Sequence, residues 1–503
     1  MADNRSAYQE LARELREVAL LGSIGSLLDW DERTQLPPKG AEHRAAQASL
    51  IARLVHERFT SPRIGDLLKS AADATAPADS DVAVTVRETD RRYQRAIKIP
   101  ASLIEEQTRV AVLAQQAWGD ARAKSDYAAF APWLDKTLKL KRDEANCVGF
   151  GKDMYDALLD EFEPGETTAN LRTTFEKLRE PLVELIRLIA ESGRKAPLEI
   201  LERDYPADAQ NAMARKAAVA IGFDFDAGRL DVSLHPFCSG FGPGDTRMTT
   251  RYDPKFFGDA FFGVLHETGH SLYEQGLPAE YFGLPMGSAC SLGIHESQSR
   301  LWENFVGRSE SFWKHFLPKT RAYFPQSLKG VDDHDWYFAV NDIRPSYIRT
   351  EADEATYNLH VLLRFELEQA LLGDELKVKD LPAAWTEKMK KYLGLTPPDD
   401  ARGCLQDIHW SSGAIGYFPT YTLGNLYAAQ FFEQAGQDIP NLEDHFAKGN
   451  FEPLLTWLRE KIHRHGKRYP APELCKRVTG QALSVEPLLR HLNRKAELYL
   501  GSA

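Results

Sequence analysis

The pentapeptide His266-Glu267-Thr268-Gly269-His270 sets two imidazoles four residues apart, with a carboxylate directly after the first. Residues four apart share one face of an α-helix, so both rings can converge on a single cation. Glu267 lies about 100° round the helix from His266, where it can reach a water on that cation without binding the cation itself. A zinc-type ion held by imidazole nitrogens and one further protein ligand acidifies a water and polarises a carbonyl. A nearby carboxylate can take the water's proton and later hand it to a departing amine. That is the chemistry of peptide hydrolysis. A motif this short also arises by chance, so a third ligand has to be found.

One common solution, glycine and histidine three and six residues after the second histidine, is excluded because Tyr273 and Gly276 stand there. Glu274 is on the same helix but about 12 Å along the axis from His266, at about 1.5 Å per residue. The stretch "SLGIHESQSRLWENF" offers a second helix, capped near Ser291, with Glu296 and Arg300 one turn apart. Glu296 is the preferred third ligand, with Arg300 as its outer partner. His295 points about 100° away from Glu296, so one of the two stands behind the ligands rather than among them.

These residues need a helix to carry them. Asp253-Pro254 predicts its start and Gly276 followed by Pro278 its stop. Phe261, Leu265 and Leu272 supply an apolar side, and Gly263 and Gly269 permit close approach of another segment. Just before it, residues 229–253 alternate in type around Gly/Pro turn chemistry, which predicts two short strands joined by a loop. Elsewhere helical spacing dominates, as in Leu11, Leu15, Val18 and Leu21, with Gly22 and Gly25 marking a bend or an end. Loops are expected at 71–81 and 394–403. The fold class is therefore mainly α, with a small β-sheet beside the metal site.

With 73 acidic and 62 basic residues among 503, the net charge of −11 favours solubility and argues against nucleic acid or an anionic membrane as partner. No apolar run reaches the roughly eighteen residues that a membrane span requires. The first twenty-odd residues read as a charged amphipathic helix rather than a secretion signal, which predicts a cytoplasmic protein. Five widely spaced cysteines without a CxxC pair predict reduced, mostly buried thiols, and Cys238 and Cys290 are given no catalytic role.

Taken together, the motifs resemble the carboxypeptidase Taq family of metallocarboxypeptidases. Five match in order: Asp245-Thr246-Arg247-Met248-Thr249, the HExxH at His266, "HESQSR" from His295, "IRTEAD" from Ile348 and "GCLQDIHW" from Gly403. The likeness covers essentially the whole chain, beginning with "LLDWDERTQLPPKGAEHRAAQ". It implies a large helical fold with a deep groove, like that of neurolysin and angiotensin-converting enzyme. It implies a single catalytic domain over 1–503, with a helical part to about 230 as groove wall or lid and a metal-site part from about 231. It further implies a homodimer, one divalent ion (zinc, or cobalt) and release of single C-terminal residues from peptides. Specificity would be broad, with C-terminal proline cleaved poorly. His266, His270 and Glu296 resemble the ligands and Glu267 the general base and acid.

An enzyme acting at a peptide's C-terminus must recognise a carboxylate, which a fixed arginine does best. Arg349 is the leading candidate. By spacing alone it forms a polar stripe with Asp353, Tyr357 and His360 beside a buried stripe of Ile348, Ala352, Ala355 and Leu359, and an i,i+4 pair with Asp353 is the plain alternative. Arg247 is the rival, with a bracing salt bridge to Asp245 as its own alternative. His235 is read as lining the peptide's path, beside a strand edge that can pair with extended substrate. His409, with Tyr421 in preference to Tyr417, can donate to the oxyanion of the tetrahedral intermediate. Trp410 is read as core, and His463 and His465 as solvated. Two other functions compete: an oligopeptidase cutting internal bonds, and a helical binding protein with structural zinc, against which the intact Glu267 argues.

Overall fold

The computed structural model describes residues 2–72 and 75–501. Among these, regular structure is almost entirely helical, with one three-stranded sheet as the exception. The backbone divides into two compact units that interleave along the chain. The first comprises Met1–Ile97, Pro197–Val340 and Tyr427–Ala482, and the second Lys98–Ala196, Asn341–Leu426 and Leu483–Ala503. Within the first unit, residues far apart in sequence are tied directly: Arg468 Nη2 donates to Asp81 Oδ1 at 2.7 Å, and Arg87 Nη2 to the Arg468 carbonyl at 3.2 Å.

The first unit opens on helix α1 (Ala2–Thr34), which runs without a break through Gly22 and Gly25. The expected bend is absent. A glycine costs a helix interior only about 1 kcal/mol, and Gly25 faces helix α2 (Ala41–Phe59), where a Cβ would lie 3.4 Å from Ile51 Cγ2. The small residue serves helix packing rather than helix ending. Leu11 and Leu15 of α1 are buried against Ile64, Leu68 and Met286. The loop after residue 71 is present, apart from Asp73 and Ala74, which lie outside the described residues.

The sheet has three strands rather than two: β1 (Gly228–Val232), β2 (Cys238–Gly242) and β3 (Asp245–Thr250). β3 lies in the middle, parallel to β1 with Leu230 opposite Met248, and antiparallel to β2 with Cys238 opposite Met248. The run from 229 to 242 is broken in two because the Ser233 hydroxyl turns back to the His235 carbonyl at 2.7 Å and Pro236 has no N–H for a ladder. Gly242 and Gly244, both at positive φ, make the tight return from β2 to β3.

Helix α3 (Gly258–Gly276) carries the HExxH sequence across this sheet. Cys238 Sγ of β2 lies 3.2 Å from Ser271 Oγ, and Thr268 Oγ1 lies 3.5 Å from Met248 Sδ of β3. The helix starts four residues later than Asp253-Pro254 suggested. Asp253 Oδ1 accepts instead from Lys255 N at 2.8 Å, so this acceptor and proline make a turn. Phe261, Leu265 and Leu272 are buried, with Phe261 5.4 Å from the Trp313 ring.

Opposite α3 runs helix α4 (Leu292–Arg300), capped as expected by Ser291 Oγ accepting from Ile294 N at 3.1 Å. Gly269 is what lets the two meet: a Cβ there would sit 2.5 Å from the Gln298 carbonyl oxygen and 2.6 Å from Ser299 Cα. Gly263 has no such neighbour, so the close approach expected at both glycines occurs at one. Gly269→Ala should destabilise the protein by about 1–3 kcal/mol, as overpacking against rigid backbone does. Gly263→Ala should be neutral or mildly stabilising because alanine is the better helix former. Denaturant midpoints of the two variants check both outcomes.

In the second unit, helix α5 (Thr356–Leu372) begins seven residues after Arg349, which sits instead in a short 3-10 turn, Arg349–Glu351. The single continuous helix expected across 348–360 is therefore corrected. Asp353 ends it, accepting from Ala355 N at 2.8 Å and Thr356 N at 3.1 Å as a capping carboxylate rather than pairing with Arg349. The burial differs in part: Ala355 and Leu359 are buried as expected, but so are Arg349, Tyr357 and His360 of the polar stripe, while Ile348 and Ala352 are half-exposed.

Candidate metal centre and active site

All three expected ligands lie in the first unit and converge. One donor atom each from His266, His270 and Glu296 falls within 4.8 Å of the others. Glu296 Oε2 lies 3.6 Å from His266 Nε2 and 3.3 Å from His270 Nε2. Metal bonds of about 2.1 Å at tetrahedral angles place neighbouring donors about 3.4 Å apart, so the triangle fits a zinc-sized ion. Glu296 offers Oε2 because Oε1 is taken by Arg300 Nε at 2.7 Å, while Ser299 Oγ steadies Oε2 at 3.0 Å. Burial opposes the charge on Glu296, but Arg300 and His266 more than offset it and hold its pKa well below the ordinary range.

Beyond α4 the chain widens into a π-helical turn, Leu301–Val306. Such turns recur at functional sites because they shift the phase of a helix. Here it delivers Glu303, whose Oε2 lies 2.9 Å from His266 Nδ1 and 3.2 Å from Arg300 Nη1. With Nδ1 engaged by a carboxylate, His266 keeps its Nε2 lone pair for a cation. Glu274, rightly placed away from the ligands, instead bonds His295 Nε2 at 2.9 Å. His295 stands behind His270 as one of the two expected arrangements has it.

Glu267 is 7% exposed, and among the described residues nothing donates a hydrogen bond to its carboxylate. Burial pushes its pKa up to about 7, partly countered by His266 and reinforced by Glu296 and Glu303. A carboxylate near neutrality, with free lone pairs, is suited to taking and returning a proton.

In the second unit, Arg349 is fixed rather than free. Its Nε and Nη2 donate to Asp407 Oδ1 at 3.0 and 2.8 Å, and Nη1 to the Tyr357 hydroxyl at 2.8 Å. Asp407 also takes Arg364 Nε at 2.7 Å through Oδ2. The adjoining Gln406 oxygen accepts from Arg349 N at 2.8 Å and Arg364 Nη2 at 2.7 Å. Two residues on, His409 Nε2 lies 3.3 Å from the hydroxyl of Tyr421, in the first turn of helix α6 (Pro419–Asp438). The Tyr417 ring packs on His409 at 5.4 Å. Burial lowers the His409 pKa to about 4, against the pull of Asp407, so its imidazole is neutral.

Known proteins share both the sequence and the fold. The model of the carboxypeptidase Taq (M32) metallopeptidase family matches residues 10–496. The chain belongs to that family. It is 48% identical to thermostable carboxypeptidase 1 of Thermus thermophilus over 507 residues, covering 98% of this chain and 99% of that one. It is 37% identical to carboxypeptidase 1 of Bacillus subtilis, covering 97% of each. The crystal structure of the M32 carboxypeptidase from Deinococcus radiodurans R1 superposes with a TM-score of 0.95 at 40% identity, covering 98% of this chain and 99% of that one. The activity is therefore that of a metallocarboxypeptidase, a peptide hydrolase that uses a divalent metal ion.

For an M32 enzyme, the remaining residues named from sequence fall as follows. Arg247 forms the bracing pair with Asp245, at 2.8 and 2.9 Å, and its guanidinium lies 4.4 Å from the Trp30 ring and 4.8 Å from that of Phe241. His235 is exposed on the connection between β1 and β2. Trp410 is buried, with Nε1 donating to Glu368 at 2.8 Å. His463 is not solvated: it is fully buried, 2.9 Å from Gln298 Oε1 and 4.9 Å from the Tyr273 ring, where it braces α3 against α4. His465 is half-buried. None of the five cysteines forms a disulfide, and Cys290, Cys404 and Cys475 are buried. Glu303, Gln406 and Asp407 went unassigned from sequence. Asp407 had a signal, its place two residues before His409 in "GCLQDIHW"; Glu303, 37 residues from His266, had none.

Proposed function

We propose that this enzyme is a zinc carboxypeptidase of the HExxH type, with His266, His270 and Glu296 as ligands and Glu267 as general base and acid. What supports it is the convergence of two Nε2 atoms on Glu296 Oε2, beside a buried carboxylate that no protein donor occupies. Imidazole and carboxylate donors at tetrahedral spacing suit zinc, with cobalt as the alternative. A cation held by these three residues would supply Lewis acidity to a water and to the scissile carbonyl. Glu267 accepts the water's proton and delivers it to the leaving amine. His409 and Tyr421 donate hydrogen bonds to the developing oxyanion, and neutrality of His409 keeps that contact a hydrogen bond rather than an ion pair.

Arg349 holds the substrate's C-terminal carboxylate. A guanidinium has five N–H donors, and Asp407 and Tyr357 occupy three, leaving one each on Nη1 and Nη2 for a second carboxylate. Arg247, already committed to Asp245, and His235 make lesser contacts with substrate. The chain acts as one catalytic domain, the form in which it matches its family. Broad specificity with poor cleavage of C-terminal proline and a homodimer follow from the family resemblance, and a cytoplasmic location is proposed beside them. Among the described residues no helix is long and apolar enough to cross a membrane.

A pair of peptides, identical but for a C-terminal amide, tests the clamp. The free acid should be trimmed one residue at a time, and the amide at least about a hundredfold more slowly, as when a buried charge pair loses one partner. Equal rates, or internal cuts in both, would instead make the enzyme an oligopeptidase.

A further inference from the structure

Both ligand imidazoles have a polar neighbour behind them, and the two neighbours differ in kind. Behind His266 stands a carboxylate, Glu303. Behind His270 stands another imidazole: His270 Nδ1 lies 2.6 Å from His295 Nδ1 and 3.1 Å from the His295 carbonyl. The other edge of that ring, His295 Nε2, lies 2.9 Å from Glu274 Oε1. An imidazole that ligates through Nε2 carries its proton on Nδ1, and that proton needs an acceptor. The His295 Nδ1 lone pair accepts it if His295 carries its own proton on Nε2, where Glu274 receives it. One assignment of protons satisfies every nitrogen along the line.

The surroundings keep these groups in place. The rings of His270 and His295 lie 4.5 Å apart with planes 30° from parallel, and the Tyr273 ring packs on His295 at 5.4 Å. The Glu274 carboxylate occupies the space over Gly240 of β2, where a Cβ would fall 2.5 Å from Oε2. A glycine at this position leaves that space open to the acid.

We propose that Glu274 and His295 are positioning residues, a carboxylate–imidazole relay that fixes the tautomer and orientation of His270. This rests on the ligand set given above. Its signature is that Glu274 acts only through His295, whereas Glu303 acts on His266 directly.

The test is Co2+ affinity of the full-length metal-free protein, by chelator competition, together with the visible spectrum of the Co2+-loaded form. His295→Phe keeps a ring but no nitrogens, and should weaken binding about ten- to a hundredfold and shift the cobalt bands. Glu274→Ala should weaken it several-fold, with Glu274→Gln, which keeps an acceptor, restoring most of the loss. The double variant should match His295→Phe alone. Melting of the metal-free proteins identifies misfolded variants; should His295→Phe not fold, Glu274→Ala decides. Unchanged affinity and spectrum, or effects that simply add in the double variant, overturn the relay. His270→Ala separates the two layers, because if it holds cobalt as tightly as the parent then the ligand set itself is wrong.

Discussion

Glu267→Gln should hold its metal as the parent does while kcat falls by about 10²–10⁴-fold, the range general acid–base groups supply. The upper end is expected, since one carboxylate serves both proton transfers. The change is nearly isosteric and leaves His266, His270 and Glu296 untouched. It removes only the capacity to take a proton at a site where burial has brought that capacity up to about 7. A ten-thousandfold fall corresponds to about 5.5 kcal/mol at the transition state, with KM little changed. Metal content measured beside kcat checks it. A variant that keeps both metal and activity would remove Glu267 from the mechanism.

Asp407→Asn should cost about 3–5 kcal/mol of stability, the penalty for leaving buried charge uncompensated. Arg364 is fully buried and Arg349 nearly so, and one carboxylate serves both. Without it, the two guanidinium groups repel one another across a neutral amide, with Gln406 as their nearest shared acceptor. Burial opposes the charge on Asp407, yet Arg349 and Arg364 hold its pKa far below the usual carboxylate range. A depressed acid contributes stability that is complete above its unfolded pKa of about 3.9 and is lost only as pH falls from there toward the folded value. The gap between parent and variant should therefore be as large at pH 5 as at pH 8 and narrow only below about pH 4. Denaturant titrations at these pH values check it. Activity on free-acid peptides should fall as well, through KM, because Arg349 loses the partner that aims it.

What could be seen without coordinates was whatever depends on local spacing. The histidine helix, its stop at Gly276 and the Ser291 cap follow from residues a few positions apart, whereas Glu296, 26 residues beyond His270, was reached through a second helix with Arg300 one turn on and through the family motif. What escaped depends on partners distant in the chain. Arg349 looked amphipathic with Asp353, because an i,i+4 spacing is the only one available when Asp407, 58 residues away, is not in view. His463 looked solvated since nothing local announces Gln298, 165 residues distant. The third strand was hidden by Pro236, which separates β1 from β2 within what otherwise reads as one extended run.

The interleaving of the two units bears on how the molecule is made. Residues up to Ile97 belong with a segment that starts at Tyr427, so contacts such as that of Asp81 with Arg468 wait for nearly the whole polypeptide. At a ribosomal pace of about 10 residues per second, the opening helices stand roughly half a minute without their late partners. The cation-binding pair α3 and α4 has no such delay, being separated by only the short stretch from Leu277 to Ser291. Biogenesis thus favours two ligand helices that can meet early, with the bracing contacts of His463 to Gln298 and of Arg468 to Asp81 added only when the late segment emerges.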